Sequence, residues 1–244
     1  MTIQQISETF RPLGDSALVV HLGEGINPAI HEKVKQLSLL LEDNPFRGFI
    51  EAVPAYNSLT VYYYPPAVCP LRSTQKKESP YHIVSSFLSK LLMKMETSRK
   101  STQRLIDIPV LYGGEYGPDL EHVAAHNHLS VEEVIHIHSS AEYLVYMIGF
   151  APGFPFMGGM DERIATPRME SPRLSITPGS VGIAGKQTGI YPLETPGGWQ
   201  IIGRTPLDLF LPDGSPPTLL QSGDKVRFVP ISVDEYVSYK ERKQ

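Results

Sequence analysis

Three stretches decide the architecture: Gly149–Gly159, GFAPGFPFMGG; Pro178–Pro192, PGSVGIAGKQTGIYP; and Pro196–Thr205, PGGWQIIGRT. Between Gly149 and Gly223 the chain holds eleven of its 22 prolines and thirteen of its 20 glycines. Proline at that density breaks long helices. What remains between the turns is short and strand-like: Tyr143 to Ile148, Val181 to Ala184, Trp199 to Gly203 and Lys225 to Val229. Short strands punctuated by turn residues predict an all-β barrel or sandwich for the second half. The same glycines let a ligand approach the main chain, and exposed N–H groups in such turns bind anions. Barrel corners need Gly and Pro as well. A concave wall carrying Phe150, Phe154, Phe156, Tyr191 and Trp199 would make a pocket.

Working outward, the first half alternates strand and helix. Ala17–Leu22 reads as a strand, and Asn27-Pro28 as a helix start with Ile30, Val34, Leu37 and Leu41 on one face. Phe49–Val53 and Ser58–Tyr64 read as strands. Cys69–Ser79 reads as a loop. Ser79-Pro80 opens a second helix with Ile83, Val84, Phe87, Leu88, Leu91, Leu92 and Met95 as its apolar set, and Leu105–Leu111 reads as a last strand. This β-α-β-β-α-β order is the split βαβ, or ferredoxin-like, arrangement. The expected class is therefore α+β, with a ferredoxin-like domain over 1–112 and an all-β barrel or sandwich domain over 113–244. The boundary is set near Gly113-Gly114 and Gly117-Pro118.

Bulk properties narrow the function. With 244 residues, 41% hydrophobic and 20% charged, the chain can bury cores without staples. A formal charge of −4 gives no pull toward nucleic acid or anionic membrane. One cysteine, Cys69, no signal-like start and no long apolar run predict a cytoplasmic protein without membrane spans. Two short helices around Asn127-His128-Leu129, the second opened by a capping box of Ser130 with Glu133, invite a helix-turn-helix reading. No Lys or Arg occurs from Leu105 to Glu162, however, and a DNA reader needs cations for the phosphates. Five of the eight histidines fall in that region: His122, His126, His128, His136 and His138. His122 and His126 are one helical turn apart, but the H-E-x-x-H pattern is absent and no third ligand is evident, so no metal site is expected. Gly185-Lys186-Gln187 misses the P-loop pattern, and Gly179, Gly182 and Gly185 do not form G-x-G-x-x-G. Ser180 has no identifiable base and no G-x-S-x-G exists, so the chain alone does not read as a complete catalyst.

His138 with Tyr143, GFAPGFPFMGG, Pro167-Arg168, Pro172-Arg173, PGSVGIAGKQTGIYP and PGGWQIIGRTP together resemble the allophanate hydrolase subunit 1 family, also called the 5-oxoprolinase B-subunit family. That family includes the histidine-kinase inhibitor KipI. Gly14-Asp15 followed by a strand and a Pro-initiated helix extends the resemblance to the first half. Phe156 departs from it, standing where Tyr is expected. The resemblance implies a cyclophilin-like barrel working with a sister barrel subunit (C-type) and an A-type subunit. It implies opening of the 5-oxoproline lactam to L-glutamate with ATP as co-substrate; it does not imply proline isomerase activity. A related domain in urea carboxylase handles a carboxyl transfer. Such a site needs cations and N–H donors for phosphoryl oxygens and a proton-transfer group. The candidates are Arg168, Arg173, Lys186 and Arg204 with Ser180 and Gln187 for substrate and phosphate, His138 as acid/base, and Tyr143 as its orienter. Phe150, Phe154, Tyr191 and Trp199 line the expected pocket. The alternative implied by the same family is a docking module that blocks autophosphorylation of a sporulation sensor histidine kinase.

Overall fold

The computed structural model describes residues 9–69, 78–95 and 104–242. The chain divides into two compact units, Met1–Thr102 and Gln103–Gln244. It is a mixed α/β protein whose second unit is a closed seven-stranded barrel.

In the first unit, β1 (Phe10–Pro12), β2 (Ala17–His21), β3 (Phe49–Pro54) and β4 (Ser58–Tyr63) form an antiparallel sheet in the order β1-β2-β4-β3. Helix α1 (Pro28–Asp43) starts where Asn27 accepts from the Ala29 N–H, with Pro28 in its first turn. It buries Val34, Leu37 and Leu41, the spacing expected of one helical face. A short helix, α2 (Pro65–Val68), begins at Pro65-Pro66, with the prolines in its first turn. Helix α3 (Pro80–Met95) buries Val84, Leu88, Leu91 and Met95. These residues meet Leu18, Val20, Leu59, Val61 and Tyr63 from the sheet in one core. Part of the expected Cys69–Ser79 loop, residues 70–77, lies outside the described residues.

The strand expected to complete this sheet does not join it. β5 (Leu105–Tyr112) pairs in the barrel, between β13 (Lys225–Pro230) and β12 (Gln200–Arg204). The edge position beside β2 is held by β1 instead. This corrects the expected split βαβ order, which loses its last strand, and moves the start of the second unit ahead of residue 112. The physical reason is visible in β5 itself, whose residues Ile108–Leu111 are all buried. A run covered on both faces suits a barrel wall lined by core and helices.

The barrel runs β10-β7-β6-β13-β5-β12-β9 and closes where β9 (Ser180–Ala184) meets β10 (Gln187–Ile190). β6 (Glu142–Ile148) and β7 (Pro155–Gly158) form an antiparallel pair. β5 and β13 run parallel over six residue pairs. Ile108, Val110, Val145, Val181, Ile183, Ile190, Ile202, Val226 and Phe228 fill the interior. Helices α4 (Leu120–His126) and α5 (Val131–Ser140) add Leu120, Val123, Val134 and Ile137 to the same core. α5 begins with the expected capping box, Ser130 with Glu133. A final helix, α6 (Val233–Glu241), opens with a second box, Ser232 with Glu235. Beside the barrel, β8 (Arg173–Ile176) and β11 (Thr195–Gly197) make a separate two-stranded sheet.

Candidate functional site

That small sheet and the Gly149–Phe154 turn enclose an aromatic cluster. Phe154 is its centre, 1% exposed. Phe150, Phe156, Tyr191 and Trp199 surround it with ring centroids 5.5, 4.9, 5.3 and 5.5 Å away, all edge-to-face. Edge-to-face packing sets the positive edge of one ring against the negative face of the next. Two glycines make the closeness possible. A Cβ on Gly189 would lie 2.9 Å from Phe154 and 3.0 Å from Trp199, and one on Gly197 would overlap the Tyr191 hydroxyl.

The cluster opens into a cavity of about 300 Å³ lined by Phe150, Phe154, Phe156, Tyr191 and Trp199, with Arg168, Pro172 and Pro196–Gly198 completing the wall. The Arg168 guanidinium stands 5.9 Å above the Trp199 ring, within cation–π range. Burial raises the pKa of the Tyr191 hydroxyl, while a hydrogen bond from the Trp199 backbone and the charges of Arg168 and Arg173 work in the opposite direction. At the rim, Phe150 has φ +67° and is 68% exposed. The Ala151 N–H reaches back to the Gly149 carbonyl at 2.8 Å, so Phe150 sits at the apex of a three-residue turn. A bulky side chain in that region of φ is a strained arrangement that persists only where its surroundings hold it.

The four expected pocket residues, Phe150, Phe154, Tyr191 and Trp199, are thus brought together, with Arg168 beside them. The remaining cations are elsewhere or engaged. Arg173 donates two bonds to Asp119, at 2.9 and 2.6 Å. The same carboxylate accepts the Ile201 N–H at 2.6 Å, so Asp119 ties the wall strand β8 to β12. Lys186 pairs with Glu162 at 2.7 Å in solvent. Arg204 lies over the Tyr116 ring at 5.3 Å, and its Nε is buried without a hydrogen-bond partner. Ser180 is 2% exposed and sits opposite Arg204 in the β9–β12 ladder. Gln187 opens β10 opposite Ala184.

His138 and Tyr143 are neighbours, but inside the barrel core and away from the cavity. His138 is fully buried and stacked on Phe228 at 4.4 Å. Thr188 gives its only proton to the Gly182 carbonyl, 3.0 Å away. Its oxygen, 2.9 Å from His138 Nε2, must therefore accept. His138 is the Nε2–H tautomer, and Nδ1 accepts from the Tyr112 hydroxyl at 2.8 Å. Tyr143 donates to the His138 carbonyl at 2.7 Å and so does not touch the ring nitrogens. Burial lowers the His138 pKa to about 3 and pushes that of Tyr143 well above its ordinary value. A neutral imidazole with both nitrogens satisfied and no exposure has no substrate within reach, which corrects the expected acid/base role.

Asp119, Tyr112 and Thr188 are not among the residues expected from the sequence. Asp119 carries one detectable signal, an acid just after Gly117-Pro118 in a stretch free of basic residues. No group of three or more metal-ligating side chains occurs among the described residues, and His122 and His126 stand with ring centroids 6.2 Å apart. No helix among the described residues is long and apolar enough to cross a membrane.

A family model for the carboxyltransferase domain, subdomain C and D, matches residues 8–220. A Bacillus subtilis (strain 168) protein, named as the B subunit of 5-oxoprolinase, is 53% identical over 229 residues, covering 94% of this chain and 95% of that one. This chain belongs to the 5-oxoprolinase B-subunit family. The Escherichia coli O157:H7 protein of the same name is 42% identical over 220 residues, covering 89% and 94%. Among solved structures, the conserved uncharacterized protein PH0987 from Pyrococcus horikoshii is 47% identical with a TM-score of 0.54, covering 93% of this chain and 99% of its own. TTHA0988 aligns at 33% identity and a TM-score of 0.73 over 88% of this chain, which spans 40% of that longer one. Urea amidolyase from K. lactis, at 21% identity and a TM-score of 0.68, shares the fold. In this member of the 5-oxoprolinase B-subunit family, the aromatic cavity offers apolar walls and, in Arg168, a cation with no carboxylate partner among the described residues. That combination suits binding and orienting a small anion.

Proposed function

We propose that this chain is the B component of an ATP-dependent 5-oxoprolinase, active only with a sister barrel subunit and an A-type subunit. The observation that carries the reading is the near full-length match, 53% identical, to a protein of that name. A lactam is a poor electrophile, so its oxygen first attacks the ATP γ-phosphorus, and the bond to ADP breaks. Water then adds to the activated carbon, and the C–N bond breaks with the ring nitrogen taking a proton. A second water releases phosphate from the resulting acyl phosphate, leaving L-glutamate. The charge that develops on phosphoryl oxygens demands cations and oriented N–H groups.

This chain supplies part of that inventory. Its cavity binds and orients; Arg173 and Lys186 are already paired with carboxylates, and His138 is sealed in the core. The proton-transfer group and most of the phosphate-binding cations therefore come from the partner subunits, and ATP is held by the assembly. The barrel is read as cyclophilin-like on the same family ground.

The test is ADP release, with and without 5-oxoproline, from this chain alone and mixed with both partner subunits. Release that depends on 5-oxoproline and appears only in the full mixture is expected. Absence of release from a mixture shown to assemble overturns the reading and leaves the histidine-kinase docking function as the one to assay.

A further inference from the structure

The cavity's charge and shape specify a ligand more narrowly than the family does. Its volume of about 300 Å³ lies at the small end of the range for small-molecule sites, about 300–1,000 Å³. Its walls are aromatic faces and prolines, which favour a flat, partly apolar ring. It carries one cation. Arg168 has no carboxylate partner among the described residues, whereas Arg173 is clasped by Asp119 and Lys186 by Glu162. One such guanidinium matches a single carboxylate; a triphosphate would bring several charges to a wall that can answer one. The cation–π contact with Trp199 holds the guanidinium at the cavity, and its planar fork suits two parallel bonds to a carboxylate. Phe150, strained and 68% exposed at the rim, leaves an apolar face that a seated ring would cover.

We propose that this chain by itself binds the carboxylate-bearing five-membered lactam in the aromatic cavity, with the carboxylate on Arg168, the ring methylenes against Phe154, Phe156 and Trp199, and Phe150 closing over the outer edge. The identity of the ring rests on the 5-oxoprolinase reading; the requirement for a small carboxylated ring rests on the cavity alone. The role assigned to Arg168 is binding and orientation.

Trp199 is the chain's single tryptophan and lines the cavity, so intrinsic fluorescence reports occupancy. The purified full chain is titrated with 5-oxoproline, with 2-pyrrolidinone, which is the same ring without the carboxylate, and with Mg-ATP. A saturable change with 5-oxoproline is expected, with 2-pyrrolidinone weaker by tenfold or more and ATP silent. Loss of a charge-assisted pair is of the order of tenfold or more in affinity, so Arg168→Gln should weaken 5-oxoproline by that much and leave 2-pyrrolidinone unchanged. Equal binding of the two lactams, a response to ATP alone, or no saturable change with 5-oxoproline in the millimolar range overturns the proposal. Turnover by the assembled subunits, with no binding to the isolated chain and an unchanged KM in Arg168→Gln, removes the pocket assignment and keeps the function. Binding without turnover in the assembly does the reverse.

Discussion

Acid should loosen the barrel through one residue, His138. The unfolded chain takes a proton on this imidazole near the ordinary value of 6.5, whereas the folded barrel accepts it only near 3, because burial penalises the charged ring. The folded-state pKa is lowered, so the neutral buried form contributes its full stability above pH 6.5. Below that the unfolded state binds the extra proton, and stability falls until the folded pKa is reached. Each pH unit in that window costs about 1.4 kcal/mol, or about 2 kcal/mol between pH 6.5 and 5. The hydrogen bonds give the same direction: Nδ1 is already an acceptor for Tyr112, so protonating it forces that hydroxyl to turn away. The assay is urea unfolding at several pH values, followed by Trp199 fluorescence, for the wild type and His138→Leu. The variant should start less stable by about 1–3 kcal/mol, because it orphans the Tyr112 hydroxyl. Its stability should then fall less steeply with acid, by about 1.4 kcal/mol per pH unit. Parallel slopes for the two proteins, or an NMR titration of the His138 ring near 6.5, would refute the reasoning; the NMR measurement stands even where the variant fails to fold.

Two further outcomes follow from the cavity wall. Asp119→Ala removes both bonds to Arg173 and the acceptor of the Ile201 N–H, and should cost about 2–4 kcal/mol in thermal or urea melts of the barrel. A loss below about 0.5 kcal/mol would class the pair with solvent-exposed ones. Gly197→Ala drives a methyl group into the Tyr191 hydroxyl and to 2.7 Å from Ile176, so the aromatic cluster must spread. It should cost about 1–3 kcal/mol and shift Trp199 emission to the red, and an unchanged spectrum would show that the wall yields without disturbing the rings.

How much of this was legible in the sequence varies with the range of the interaction. Asn27-Pro28 and the Ser130–Glu133 box marked helix starts correctly, because a cap is satisfied within a turn of chain. The Gly/Pro-rich half read as a barrel or sandwich of short strands, because turn chemistry is local too, and closure into a barrel was left to the structure. The fate of Leu105–Tyr112 was not legible. An apolar run states that both its faces will be covered but not by which sheet, and its partner, Lys225–Pro230, lies at the far end of the unit. The site divides along the same line. Phe150, Phe154, Tyr191 and Trp199 were recognisable as a cluster because aromatic residues and glycines recur around turns. Residue type also suggested Arg173 as an anion binder, yet type cannot show that Asp119, folded back from 54 positions upstream, already occupies it. His138 misled for a related reason: a histidine beside a tyrosine reads as chemistry until burial is known.

The parallel pairing of β5 with β13 has a consequence for biosynthesis. Arg227 bonds to Asp107 across 120 residues, and the barrel's ring of strands stays open until Pro230 is in place. Among the described residues, the first unit's sheet has its four strands by Tyr63. At about 5–20 residues per second on the ribosome, about ten to thirty seconds separate the two events. For the later part of that interval, after Tyr112 has been made and before Pro230 has, β5 is an apolar strand whose parallel neighbour does not yet exist. Holding that one segment away from foreign edges is the work a nascent-chain chaperone would have to do for this protein.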